Sequence, residues 1–432
     1  MASLRRPRLL FLCQTLPYPP DGGVWIRTFH VLRLLARAFD VTALCFERSA
    51  TSGAAADWTR ATGPEGLGRF ADVEVFAIPQ KHSRLRFVWD HVRSMATARV
   101  YTTFLYDSAE LRARLASLVR SGEFDLVHVD SLDLASYLPS CAGIPVVCVH
   151  HDVESALLRR RAAVEASWWR KRYLRVQSRL MEKVERQWCG RVALNVTVSE
   201  HDGARLRSLV PAARIAVIPN GVDTSEFFPD ASAARLNRIA YVGGTNPFPN
   251  LDALTFFCED ILPHLNSQRP VLTRWIGRSS AEQQEQYRQR FGVELTGYVE
   301  DPRGFMQQAA CHIVPLRVGG GTRLKILNAW AMGKPVVSTS IGCEGLAAVD
   351  GDNVLIRDAP RDFAAAVCSV LNDPALARRL GMSGRRTVER LYSWDIVGEG
   401  LIDRYLGVLR RAPAGASESA VICHAEPRFD HA

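Results

Sequence analysis

No run of about 18 apolar residues occurs in this 432-residue chain, so none of its segments reads as a bilayer-spanning helix. It holds no CxxC pair, and its ten cysteines are scattered rather than grouped with histidine, which removes a zinc-type scaffold. Cys45 and Cys148 sit inside apolar, strand-like runs, where a free thiol acts as a small hydrophobe. A reduced, cytoplasmic protein is expected. No DxD-type acidic cluster stands in a metal-binding context, and no short-period repeat is present. The opening MASLRRPRLLFLCQTLPYPP puts charge before apolar residues, as a signal peptide does. LLFLC is short for that role and a proline turn follows it, so the expectation is a first parallel strand. A glycosylation sequon at Asn195 falls in the strand-like ALNVTVS and carries no weight.

The hydrophobic fraction, 47%, supports full-sized cores, and the length suits two domains. The net charge of +9 is concentrated: between Arg159 and Arg191 eleven Lys and Arg face three Glu, a local excess of +8. No nucleic-acid recognition motif accompanies this run, and nucleic acid is not an expected partner. Trp169, Tyr173, Val176, Leu180, Val184 and Trp188 form one helical stripe, which predicts a basic amphipathic helix across 159–191. With Trp168, that helix would lie on an anionic membrane surface, or else flank a cleft and attract anionic ligands.

Strands and helices alternate along the first half, as in a doubly wound parallel sheet. RLLFLC, DVTALCF, DVEVFAI, DLVHVD, PVVCVHH and ALNVTVS read as strands. Helices are predicted over Thr28 to Phe39 and Ala109 to Arg120. After IAVIPNGVDTSEFFP the pattern restarts with RIAYVGG, a helix from Leu251 to Leu265, RWIG and VELTGYV. The expected domains are 1–217 and 218–392, with a closing helix at about 393–411 that returns to the first domain. A disordered tail is expected over 412–432. Ligands of such sheets bind in the crevice beyond the strand ends.

The most informative stretch runs from His312 to Leu346, HIVPLRVGGGTRLKILNAWAMGKPVVSTSIGCEGL. HIVPL is strand-like, GGGT is a flexible turn, and Leu324, Leu327 and Trp330 recur at helical spacing until Gly333-Lys334-Pro335 stops the helix. PVVSTS is the next strand. Glycine amides at a helix N-terminus make an anion site, because unpaired N–H groups and the helix dipole both favour negative charge.

This segment resembles the donor-binding motif of the retaining glycosyltransferases of family four. It is most similar to the branch written GGGTRLKxLEAxAxGxPVVSTxxGxEGL. The resemblance implies a GT-B fold: two Rossmann-like domains whose parallel sheets face an interdomain cleft. It also implies transfer of a sugar from a nucleotide diphosphate sugar to a hydroxyl acceptor, with retention, without metal and without a cofactor. Lipid-linked or envelope glycans are the implied acceptors, which would keep the protein at the inner membrane face. IPNGVD resembles the family's interdomain linker, and the LPYPPDGGVWIR loop with Gly22 and Gly23 resembles its loop near the donor phosphates. His151 matches an active-site histidine at a strand end that contacts the transferred sugar; His150 competes, but strand alternation points only one of them into the cleft. Asp152 and Glu154 would orient His151 or bind the acceptor.

In the second domain the resemblance assigns donor contacts to Gly243, Gly244, Gly320, Gly321, Thr322, Arg323, Lys325, Asn328 and Glu344. Tyr298 would flank the base and Arg278 would supply a cation. Glu344 would take a donor hydroxyl or cap the next helix. Three positions depart from the pattern. Asn328 replaces the glutamate that holds the ribose hydroxyls, and Gly244 and Pro249 replace an Arg and a Lys that neutralise the diphosphate in many relatives. Asn328 would hold ribose more weakly or suit a deoxyribose with one hydroxyl. A non-catalytic protein that binds the nucleotide sugar is the competing expectation.

Overall fold

The computed structural model describes residues 5–20, 22–48, 58–81, 83–230, 235–245, 248–319 and 323–411. The chain is α/β throughout and forms two Rossmann-like sheets. The first contains β1 (Arg8–Cys13), β2 (Asp40–Phe46), β3 (Asp72–Phe76), β4 (Leu126–Val129), β5 (Val146–His150), β6 (Leu194–Thr197) and β7 (Ile215–Val217), ordered β3-β2-β1-β4-β5-β6-β7. The second contains β8 (Arg235–Val242), β9 (Leu272–Ile276), β10 (Val293–Leu295), β11 (Ala309–Val314), β12 (Val336–Ser338) and β13 (Leu355–Ile356), ordered β10-β9-β8-β11-β12-β13. Every named strand pair is parallel.

RLLFLC shows why such strands read as unbroken apolar runs. Leu9, Phe11 and Cys13 enter one core with Phe29, Leu32 and Leu35, while Leu10 and Leu12 enter another with Leu111 and Leu115. Alternate side chains go to opposite faces, and both faces are covered by helices. The last helix, Trp394–Arg411, packs on the first half: Trp394, Val397, Leu401 and Tyr405 share the core of Leu9 and Phe11.

Three expected helices differ. The first spans Gly23–Leu35 rather than 28–39, because Gly22 serves as its N-cap. The predicted 159–191 helix is two, Glu154–Val164 and Trp168–Trp188, broken at 165–167 and packed together. The 251–265 helix is Phe248–Phe256 and Leu262–Gln268 joined by a π-turn over Phe257–Ile261. The tail 412–432 lies outside the described residues.

Candidate active site

In each sheet the strand order reverses between the first and fourth strand of that half, β1 and β4 in one and β8 and β11 in the other. Loops leaving such a pair diverge and open a crevice at their C-terminal ends. Gly22 and Gly23 follow β1, Asp130 follows β4, and His151 follows β5. A Cβ on Gly22 would lie 2.6 Å from the Trp25 ring, so this position has no room for a side chain.

His151 is nearly enclosed, and its Nε2 lies 3.4 Å from Asp130 Oδ2. Asp130 is fully buried and also accepts a 2.8 Å bond from Thr28 Oγ1. His128 Nε2 stands 3.4 Å from its other oxygen, and His128 Nδ1 pairs with Tyr405 Oη at 2.7 Å. Burial opposes ionisation of Asp130, but His151 and His128 outweigh it and hold the carboxyl well below the usual range. A permanent anion therefore backs His151. His150 is buried instead, with Nε2 3.0 Å from Asn195, and burial lowers it to about 4. Asp152 is pushed up to about 6, by burial and then by Asp202. Glu154 is raised well above its ordinary value by burial, Asp133 and Asp152. The acids beside His151 thus differ: Asp130 is held ionised, while its neighbours resist ionisation.

Across the crevice, Gly243 adopts φ 153°, and a Cβ on Gly244 would lie 2.8 Å from the Arg278 carbonyl oxygen. This close backbone crossing leaves no space for the arginine that the family resemblance would put there. Lys325 Nζ bonds Tyr241 Oη and lies 3.1 Å from Asn250 Oδ1, beside Gly243. Burial and then the Arg323 charge hold Lys325 well below the ordinary lysine range. Arg323, the N-cap residue of helix Leu324–Ala331, is buried and donates to the Ile341 carbonyl at 3.1 Å. Asn328, one turn further along, makes no side-chain hydrogen bond among the described residues. The Arg278 guanidinium stacks on the Tyr298 ring at 4.4 Å, and both residues are exposed, while the Arg278 backbone lies against Gly244. Gly320, Gly321 and Thr322 lie outside the described residues.

The two halves meet here. A Cβ on Gly23 would lie 4.0 Å from Leu324 Cδ1, at the start of the donor-side helix. Arg160 Nη1 donates to the Gly319 carbonyl at 2.7 Å and lies 3.3 Å from Glu344 Oε2, while His201 stands 3.7 Å from the other Glu344 oxygen. Glu344 therefore caps no helix: turns follow it, and the next helix opens at Pro360. Among the described residues no group of three or more His, Cys, Asp and Glu is placed to hold a metal. Asp130 and Arg160 are the groups that sequence reasoning missed. Asp130 ends the strand-like DLVHVD, a position at which a carboxylate is a legible signal; Arg160 is 184 positions from Glu344 and gave none.

A sequence model described as Glycosyltransferase Family 4 matches residues 21–226, and one described as Glycosyl transferases group 1 matches 237–373. The MMP alpha-(1->4)-mannosyltransferase of Mycolicibacterium hassiacum is 26% identical over 318 residues, 70% of this chain and 75% of its own length. Among solved structures, sucrose-phosphate synthase from Thermosynechococcus elongatus superposes with a TM-score of 0.66 at 18% identity, covering 93% of this chain and 99% of its own. Anabaena HepE, solved with UDP and glucose, gives 0.62 at 15% identity, covering 93% and 99%.

Proposed function

The chain belongs to the GT-B glycosyltransferases, and on that footing we propose that it moves a sugar from a nucleotide diphosphate sugar to a hydroxyl acceptor, retaining the anomeric configuration and needing no metal. One observation carries the reading: His151, backed by Asp130, and the N-terminus of helix Leu324–Ala331 are brought to one crevice from opposite halves of the chain.

In this reading the donor diphosphate lies at that helix N-terminus, where amides, Arg323 and Lys325 take up its charge. The ribose reaches Asn328, and the sugar lies toward His151. The acceptor hydroxyl approaches past Asp152 and Glu154 and attacks on the face from which the diphosphate leaves. The departing phosphate oxygen accepts the hydroxyl proton, so the new bond, the broken bond and the proton stay on one side of the sugar. Stabilising the leaving charge is the largest contribution such a site makes. Closure of the two halves excludes water, which would otherwise hydrolyse the donor. A lipid-linked or envelope-glycan acceptor at the inner membrane face completes the proposal.

The test is calorimetry against UDP, GDP, dTDP and ADP with EDTA present, followed by NMR of the sugar released or transferred. One nucleotide should bind tightly, and the first product should keep the donor's anomeric configuration. His151→Ala should lower turnover roughly a hundredfold with nucleotide affinity unchanged. Failure of all four nucleotides to bind would overturn the reading.

A further inference from the structure

Helix Arg84–Thr97 is built inside out. The residues it buries are polar, Asp90 and Ser94, at 2% and 0% exposure. Leu85, Val88, Trp89, Val92 and Met95 are exposed, from 47% for Met95 to 85% for Leu85. Their spacing of three and four residues makes a single stripe along one side of the helix. At 1.5 Å per residue it runs about 15 Å, too short to cross a bilayer but suited to lie along one.

Polar contacts hold this helix with its apolar side outward. His91 Nδ1 lies 2.7 Å from Tyr173 Oη, and Gln177 Nε2 donates to Ser94 Oγ at 2.8 Å. Gln177 also accepts from the Tyr101 amide, and the His91 ring stacks on Tyr101 at 4.0 Å. The pairs 91 with 173 and 94 with 177 set the two helices side by side and running the same way. Their first turns therefore lie at the same end. Trp168 and Trp169, exposed at 77% and 56%, begin the second helix at that shared end. One exposed side of that second helix carries Arg172, Arg175 and Arg179.

We propose that the outer face of helices Arg84–Thr97 and Trp168–Trp188 docks this protein on an anionic lipid bilayer. The apolar stripe and the two tryptophans enter the headgroup boundary, and the arginines of the second helix meet anionic headgroups. Charge selects this occupant. A second copy of the chain would bring the same arginines together, whereas an anionic surface supplies the missing sign across the whole face. The basic helix read from sequence lacked an apolar element of this size; helix Arg84–Thr97 provides it. The proposal sharpens the membrane part of the function above but requires neither donor nor catalysis.

The experiment is co-sedimentation of the full chain with phosphatidylcholine vesicles and with vesicles containing phosphatidylglycerol, alongside UDP calorimetry and light scattering. Wild type should pellet with the anionic vesicles, less so as salt rises. Val88→Ser/Trp89→Ser/Val92→Ser should weaken this roughly tenfold with the melting temperature and nucleotide affinity unchanged, since all three side chains are exposed. Arg172→Gln/Arg175→Gln should weaken it with a shallower salt dependence. Equal pelleting of wild type and the triple variant would overturn the proposal, as would no binding to either vesicle. A wild-type dimer that the triple variant dissolves would overturn it too, in favour of self-association. Vesicle binding without nucleotide binding would sink the transferase reading alone, and the converse would sink this one alone.

Discussion

Asn328 projects from helix Leu324–Ala331 with no side-chain partner among the described residues, so its amide is available to a ligand. A carboxylate there would accept from two vicinal hydroxyls with charge assistance; an amide offers one acceptor oxygen and no charge. If the residue is matched to a ribose with one hydroxyl, dTDP should bind more tightly than UDP, and Asn328→Glu should shift the preference toward UDP by roughly tenfold. Calorimetry decides this, and equal binding or a uridine preference in the wild type would remove the idea. Asp152 makes a second residue-scale prediction. Its carboxyl is raised to about 6, so above that pH the folded protein carries a partly buried carboxylate beside Asp202, which costs stability. The penalty fades as pH falls from about 6 towards the ordinary 3.8. Asp152→Asn should therefore raise the melting temperature by a few degrees near neutral pH, with the gain shrinking through that window. Thermal unfolding across pH measures it; a gain that grew on acidification would contradict the burial argument.

At the scale of elements, the close crossing of Gly243, Gly244 and Gly277 explains a departure that sequence alone left open. A Cβ on Gly277 would lie 2.5 Å from the Gly244 amide, and one on Gly244 would meet the Arg278 backbone. Gly244→Arg, which installs the cation that the family resemblance implies, should cost about 1–3 kcal/mol of stability without tightening nucleotide binding. Denaturant unfolding and calorimetry of the variant check both halves; tighter binding at unchanged stability would show that the loop has room. The same scale shows what was legible. Strand DVTALCF and helix Ala109–Arg120 fall where their patterns put them, since a short apolar run and an amphipathic helical period are local signals. The break at 165–167 and the π-turn at Phe257–Ile261 were not legible, because packing interrupts a pattern that locally continues. Helix Arg84–Thr97 went unread for the opposite reason: its apolar stripe marks no core. The glycine turns and His151 could be read from short motifs. Asp130 as the partner of His151, and Arg160 as the partner of Glu344, depend on contacts between distant parts of the chain.

The whole molecule is joined on one side and latched on the other. Where the chain crosses between its halves, the Val222 amide donates to the Tyr392 carbonyl at 2.8 Å and the Trp394 amide returns a bond to Val222 at 3.3 Å. These paired crossings sit beside Trp394, whose ring lies 2.5 Å from where a Gly221 Cβ would stand, so this region offers a defined pivot. At the crevice the halves are held by Arg160 with Gly319 and Glu344, and by His201 with Glu344. The Arg160 and Glu344 side chains are about a third exposed, so as an ion pair they contribute only about 0.2–1 kcal/mol. A contact of that size cannot lock the halves, but it is enough to shift an open–closed balance between states of similar energy. Arg160→Ala should therefore leave the melting temperature nearly unchanged and increase the radius of gyration in small-angle scattering without nucleotide. Added nucleotide should bring the radius back toward the wild-type value if closure is driven mainly by donor contacts spanning both halves. An unchanged radius would mean that the crossing strands and the Gly23–Leu324 contact set the angle, and that Arg160 acts only on the ligand.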